Sequence, residues 1–553
     1  MDPILPYSNL HIGTLQAGLK ALLTEEELDQ LGYLYSAVAG RDGGVSPSIL
    51  SDKVTLAALY KVLTLERLSS KEYRRSILLA MPSTEISELS TVAGQGPMKG
   101  VEGAVDTLLS QPWQDTPLWR RFLEFLRLPS SLLPTPGQRE LDQFDCTPFD
   151  PPLRSLFDYQ VDVYQRSLEC VKVPNGRLLL QMPTGSGKTR TAMEVIATFM
   201  RERITNQVPV RVVWVSHVGE LCEQSLVSFE QVWKHTGNTP VRVLRLWGDH
   251  PVPTELPPNS FAVVGFQKFL RLLRRGEGTF PVDLVTVDEA HVALAPRYNS
   301  VLSLFQGGGT RYLGLTATPG RTQQESVATR SLAKQFGNNL IGLDFGETQV
   351  ITALQRKGVL SVLDRQELRT SLPVDLTQEE WDTVAKNGDY PPAILRRIAQ
   401  DRSRNLAILN KLREIATLGL QTIVFASSVG QSRILAAMMV ALGYPACHLD
   451  ADTPREIRRV FIDRFKAGET KFLMNFGILS TGFDAPLVGC VVIARPTTSI
   501  VLYSQMVGRG LRGPSVGGTP TCVLVDVVDN FENMPGDITN VYDYFSGYWG
   551  DQS

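Results

Sequence analysis

Residues 178–191 read Leu-Leu-Leu-Gln-Met-Pro-Thr-Gly-Ser-Gly-Lys-Thr-Arg-Thr. A short apolar run breaks at Pro183, turns through Gly185 and Gly187, and passes into a helix-forming stretch from Lys188. A strand, a glycine-rich turn and a helix start, in that order, make a phosphate cradle. Glycines let backbone N–H groups crowd round an anion, and the helix start adds partial positive charge. Thr184, Gly185, Ser186 and Gly187 would then line the phosphates and Lys188 would reach them, while the Thr189 hydroxyl would ligate Mg²⁺. The cofactors expected are ATP and Mg²⁺. The general pattern has a glycine where Met182 stands, so the match is to the shorter form Pro-Thr-Gly-Ser-Gly-Lys-Thr.

Outward from this turn the chain alternates. Residues 153–343 carry β-branched runs at Val210, Leu284 and Tyr312, each ending in polar or small residues, as in a parallel α/β sheet whose ligands gather at the strands' carboxyl ends. Thr184 to Thr189, Asp288 with Glu289, and Thr316 to Thr318 would face one crevice. Residues 344–420 read as helical and polar. Strands then return at Thr422, Phe472, Val491 and Cys522, so residues 344–535 form a second α/β lobe without a phosphate loop. Upstream, residues 1–133 read as helical and leucine-rich, with capping-box spacing at Thr24/Glu27 and Ser69/Glu72. The proline-punctuated residues 134–152 read as a linker, and residues 536–553 as a tail. The helical segment is expected to be separable near Pro136 and to offer a docking place for protein partners.

Composition narrows the class. Of 553 residues, 55 are Lys or Arg and 57 Asp or Glu, giving a formal net charge of −2, so any nucleic-acid contact must be a local basic groove. The six cysteines form no C-x-x-C pair, which argues against a zinc ribbon or disulfide framework and suits a reducing cytosol. The start lacks a signal-peptide pattern, and the apolar run at residues 434–442 is far too short to span a bilayer. The expectation is a cytoplasmic protein without membrane contact.

About 100 residues after Lys188 comes Val287-Asp288-Glu289-Ala290-His291, at the end of an apolar run. Asp288 would hold Mg²⁺, and Glu289 would orient and deprotonate an attacking water. Lys268, Arg271, Arg274 and Arg275 recur at helical spacing, a row that could line a phosphate-tracking groove.

Together these motifs resemble motifs I and II of superfamily 2 helicases, and the rest follow in the family's order. Tyr159-Gln160 resembles the Q motif without its arginine, Gln160 reading adenine; Tyr164-Gln165 is a rival. Ser216-His217 and Gly265-Phe266-Gln267 resemble strand-end motifs that touch nucleic acid. Thr316-Ala317-Thr318 matches motif III and Ser427-Ser428 motif IV. Thr481-Gly482-Phe483-Asp484 matches motif V, and Gln505 to Arg512 motif VI. By that resemblance Arg509 and Arg512 act on the phosphates from across a cleft, from a helix start. Gly482 and Asp484 help hold the nucleotide. Ser428 and Thr481 touch the strand, and His291, Thr316, Thr318 and Gln505 couple hydrolysis to movement. The wording Gln-Met-Val-Gly-Arg-Gly-Leu-Arg resembles type III restriction-subunit, RadD-like and XPB-like enzymes, which favours DNA although residues 288–291 spell a DEAH box. The implied fold is α/β, two tandem RecA-like parallel-sheet lobes preceded by a mostly helical N-terminal domain. The implied activity is that of an ATP-hydrolysing helicase or translocase, in repair, restriction or anti-phage defence. The alternatives are a non-unwinding motor subunit of a larger complex and a nucleotide-gated RNA clamp.

Overall fold

The computed structural model describes residues 23–39, 71–96, 100–113, 116–125, 141–149, 153–217, 219–275, 279–290, 300–317, 334–346, 348–370, 375–453, 455–479 and 485–529, with Gln16 and Leu56. Near the N-terminus are α1 (Glu25–Ala39), α2 (Lys71–Ala80), α3 (Ser83–Val92), α4 (Val101–Ser110) and α5 (Pro117–Phe125). The Thr24/Glu27 capping box forms: the Glu27 N–H donates to Thr24 Oγ1 at 3.2 Å, and the Thr24 N–H to Glu27 Oε2 at 2.9 Å. Ser69 lies outside the described residues.

The first lobe is an eight-stranded sheet. Its strands are β1 (Gln143–Cys146), β2 (Arg177–Gln181), β3 (Arg211–Ser216), β4 (Val241–Leu246), β5 (Ser260–Gly265), β6 (Leu284–Val287), β7 (Arg311–Thr316) and β8 (Leu340–Gly342). They run in the order β1-β4-β5-β3-β6-β7-β2-β8. All pairs are parallel except β1 with β4. The strand carrying the cradle is therefore flanked by β7 and β8, and β3 lies between β5 and β6. Around them are α6 (Asp158–Lys172), α7 (Lys188–Thr205), α8 (Gly219–Thr236) and α9 (Phe266–Arg274). The expected linker thus contains an edge strand: β1 pairs its four residues with residues 241–244.

The second lobe is a six-stranded, all-parallel sheet in the order β11-β12-β10-β13-β14-β9. Its strands are β9 (Val362–Thr370), β10 (Gln421–Phe425), β11 (Ala446–Leu449), β12 (Phe472–Asn475), β13 (Val488–Ile493) and β14 (Thr521–Asp529). Its helices are α10 (Val350–Arg356), α11 (Gln378–Asn387), α12 (Pro392–Ala399), α13 (Arg402–Thr417), α14 (Val429–Ala441), α15 (Arg455–Lys466) and α16 (Ile500–Val507). The stretch read as purely helical and polar therefore holds an edge strand, β9, whose alternating charges face solvent as unpaired edges require. An ion pair buried on both sides knits this lobe. Arg404 on α13 donates from Nε at 2.7 Å and Nη2 at 2.9 Å to the Asp529 carboxylate, and from Nη2 at 2.6 Å to the Ala494 carbonyl.

The first of the N-terminal helices does not stand apart. α1 packs on α13 and α14 of the second lobe with Leu31 and Leu34 buried. Arg402 also pairs with Asp29. The expected separable boundary near Pro136 would cut this contact.

Candidate nucleotide site at the lobe interface

The cradle is built as the sequence predicts. Gly185 and Gly187 have φ of 92° and 88°, which a side chain would strain, and α7 starts at Lys188. Met182, where the general pattern has glycine, is fully buried and donates its N–H to the Thr316 carbonyl at 3.1 Å. The motif III strand thus holds the entrance of the loop directly. Ser186 closes the turn on the Pro183 carbonyl through Oγ at 2.7 Å. Thr184 and Thr189 are half-buried.

Opposite the cradle, β6 ends at Val287 and delivers the two carboxylates. Glu289 sits at φ 49°, a left-handed conformation uncommon for a non-glycine residue and costly to hold. It brings its carboxylate to Lys188, with Nζ to Oε1 at 3.5 Å. Asp288 is buried; burial first, then the Glu289 charge, push its carboxyl above the usual carboxylate range, against the pull of Lys188. A group in that position gains most from a cation beside it. Thr189 and Asp288 are the residues that would hold Mg²⁺, which when bound neutralises phosphate charge.

Gln160 is sequestered. Its Oε1 accepts the Phe157 N–H at 2.9 Å, and its Nε2 donates to the Ser186 carbonyl at 3.2 Å, with the Gly187 carbonyl at 3.5 Å. Tyr159 Oη donates to the same Ser186 carbonyl at 2.9 Å. In this structure the Gln160 amide fastens the cradle to the start of α6. The reason is local: as the third residue of α6 it folds back on its own helix start. In the rival dipeptide Tyr164 Oη lies 3.0 Å from Thr198 Oγ1, and Gln165 is exposed.

The second lobe closes on the cradle. A Cβ at Gly185 would lie 2.5 Å from Arg512 Nη1, 3.0 Å from Leu360 Cδ2 and 3.1 Å from the Leu511 carbonyl; one at Gly508 would lie 2.5 Å from Thr184 Cγ2. Arg154 donates to the Ser515 carbonyl. The arginines were expected at a helix start, but α16 ends at Val507 and residues 508–513 are turn and loop. The turn is held by Arg509 N–H to the Met506 carbonyl at 3.1 Å and Gly510 N–H to the Val507 carbonyl at 3.0 Å. Arg509 and Gln505 are half-buried. Sequence reading missed Leu360 and Ser361, which carry no motif. Buried Ser361 Oγ lies 2.7 Å from the carbonyls of both Arg512 and Thr519. Tyr503 Oη lies 2.9 Å from both Asp526 carboxylate oxygens, anchoring α16 to the sheet.

The expected nucleic-acid contacts divide. Ser216 is fully buried in register with Gly265. Phe266 is only 6% exposed, its ring 5.3 Å from that of His217 and its side chain in the apolar core beside Phe269. Neither side chain is open to solvent in this structure. A Cβ at Gly265 would meet Trp247 Cβ at 2.8 Å, so that glycine serves packing too. Gln267 is exposed and His217 half-buried. Ser428 caps α14, accepting the Gln431 N–H at 3.0 Å. Of the basic row, Arg271, Arg274 and Arg275 are exposed, while Lys268 donates to the Gly248 carbonyl at 3.0 Å and to that of His250. His291, Thr318, Thr481, Gly482 and Asp484 lie outside the described residues.

Ser432 Oγ, His448 and Asp450 line up, with 2.6 Å from Oγ to Nδ1 and 3.3 Å from Nε2 to the carboxylate. All three are buried. Burial lowers the His448 pKa more than Asp450 raises it. The arrangement ties α14 to β11 and has no access for substrate. Among the described residues no cluster of His, Cys, Asp and Glu could hold a metal ion by itself, and no helix is long and apolar enough to cross a membrane.

Two α/β lobes meet at one glycine-rich turn, with an acidic pair on one side and Arg512 from the other, which makes a composite P-loop site. The comparisons point to a family. The model for the type III restriction enzyme res subunit matches residues 154–321, and that for the helicase conserved C-terminal domain matches residues 406–513. IRC3 of Saccharomyces cerevisiae is 25% identical over 65% of this chain and 49% of its own length. A 51.5 kDa protein of a Lactococcus phage is 26% identical over 67% of this chain and 70% of its own. The type I restriction enzyme EcoKI endonuclease subunit of Escherichia coli is 25% identical over 68% of this chain and 34% of its own. The chain thus spans about half the length of the yeast relative. Residues 154–321 and 406–513 thus carry the two domains found in helicases of the type III restriction-subunit kind.

Proposed function

We propose that the chain is an ATP-driven motor on nucleic acid, with DNA as the favoured substrate, and that hydrolysis at the lobe interface alternates the grip of the two lobes. The observation that carries this is the composite cradle: Lys188 paired with Glu289 at 3.5 Å on one side and Arg512 against Gly185 on the other. When ATP binds, Lys188 exchanges Glu289 for phosphate oxygens, and the freed carboxylate orients the attacking water and takes its proton. The Arg512 guanidinium meets the phosphate oxygens with a fork that stays charged at any working pH. Because the cradle needs both lobes, the state of the nucleotide sets the closure of the cleft. Motif VI wording supports DNA, as does similarity to a restriction subunit. The experiment is ATPase stimulation by duplex DNA, single-stranded DNA and RNA. Stimulation by RNA alone would refute the DNA assignment, and absence of any stimulation would refute the motor reading.

A further inference from the structure

Three buried side-chain amides run in single file from the N-terminal helix to the motif IV turn of the second lobe. Gln30 on α1 donates from Nε2 to the Gln400 carbonyl at 2.6 Å and lies 3.3 Å from that of Ala399. Asn405 on α13 donates from Nδ2 to Gln30 Oε1 at 3.1 Å and to the Ala399 carbonyl at 2.7 Å. Gln431 on α14 donates from Nε2 to Asn405 Oδ1 at 2.6 Å, and its Oε1 accepts the Ser427 N–H at 2.7 Å. The three amides are 5%, 1% and 2% exposed, and Ser427 is fully buried. Each amide accepts from the motif IV side and donates onward, ending with Gln30 on the Gln400 carbonyl, so each bond polarises the next, as in other low-dielectric chains. Ser427 Oγ adds a bond to the Ala494 carbonyl at 2.8 Å, and Ser428 caps α14 on the Gln431 N–H.

We infer that Gln30 is a positioning residue: α1 is a permanent part of the second lobe, and its amide relay fixes the Ser427-Ser428 backbone for its grip on nucleic acid. Three features of the structure carry this. Packing needs no carboxamides, and an unmade bond in so dry a channel is costly. The relay ends on the backbone of a motif and not on a surface. α1 is also held independently of the relay, by Leu31 and Leu34 and by Asp29 with Arg402, so the relay is not what docks it. The inference rests on the motor reading for its functional half only.

Gln30→Met keeps the volume and removes the hydrogen bonds; Gln30→Asn keeps the amide and shortens its reach. Either should speed hydrogen exchange across residues 426–432 roughly tenfold, the scale of one lost buried bond, with β12 unchanged. Either should also raise the single-stranded DNA oligonucleotide concentration for half-maximal ATPase by a similar factor, leaving basal rate and saturated rate within about twofold. Unchanged exchange would overturn the relay. Faster exchange with an unchanged half-saturating DNA concentration would overturn the link to grip. A wild-type ATPase that no nucleic acid stimulates would instead overturn the motor reading, and the exchange result would still decide the relay.

Discussion

Replacing Gly510 by alanine tests how the motif VI turn is held. A Cβ there would lie 2.3 Å from Cys522 Sγ and 2.8 Å from Val491 Cγ2, both on central strands of the second lobe. The backbone φ of Gly510 is not positive, so alanine adds no conformational strain and the effect is steric alone. Overpacking of a dense core costs about 1–3 kcal/mol, which for a lobe of this size is roughly 2–12 °C in unfolding midpoint. Restoring an ordinary contact to Cys522 Sγ from 2.3 Å needs a shift of roughly 1 Å, and Arg509 and Arg512 move with the turn. Misplacement of about 1 Å at a catalytic group can cost about a hundredfold in rate, so single-turnover hydrolysis should fall by about ten- to a hundredfold. Cys522→Ala removes the closer obstacle, leaving Cys522 Cβ at an ordinary 3.6 Å. The double variant should therefore recover most of the stability and part of the rate, a coupling of at least about 1 kcal/mol. Differential scanning calorimetry of the four proteins of the cycle, with single-turnover ATPase, measures both. Additive effects, or a Gly510→Ala protein as stable and active as wild type, would refute the packing argument.

Glu289→Gln should leave nucleotide binding intact and stall hydrolysis, whereas Lys188→Ala should abolish turnover; binding isotherms beside ATPase rates distinguish them. Arg512→Lys keeps the charge and loses the fork. Because arginine fingers elsewhere contribute about 10³–10⁵ in rate, the single-turnover rate should drop far more than ATP affinity, and a variant within twofold of wild type would remove Arg512 from the catalytic set. Arg404→Met leaves Asp529 charged in a dry site and should cost about 3–5 kcal/mol, read as a lowered unfolding midpoint. Asp526 titrates through pH: burial, only partly offset by Arg365 and Tyr503, raises its carboxyl to about 6. A raised folded pKa contributes stability that is present at low pH and lost as pH rises through about 6. The stability of wild type relative to Asp526→Asn should accordingly fall from pH 5 to 7 and then level; a flat difference would contradict the assignment.

Residues 178–191 and 287–289 could be read from the sequence because their chemistry is local. A phosphate turn needs its glycines, lysine and threonine within one strand–helix junction, and a strand end places Asp288 and Glu289 without help from afar. The order of those segments was enough for two parallel α/β lobes. What sequence left hidden depended on distant partners. β1 and β9 are edge strands, polar on exposed faces, so no apolar run marks them, and only pairing with β4 and β14 reveals them. Phe266 reads as an exposed strand-end aromatic until the surrounding core is seen to take it in. The helical spacing of Arg509 and Arg512 could not show that α16 stops at Val507, since Gly510 ends up against Cys522 only after β13 and β14 assemble. Likewise Gln30, Asn405 and Gln431 are three unremarkable amides up to 401 positions apart. Hydrogen bonds carry no sequence signature at such separations, and it is the docking of α1 on the second lobe that strings the three together.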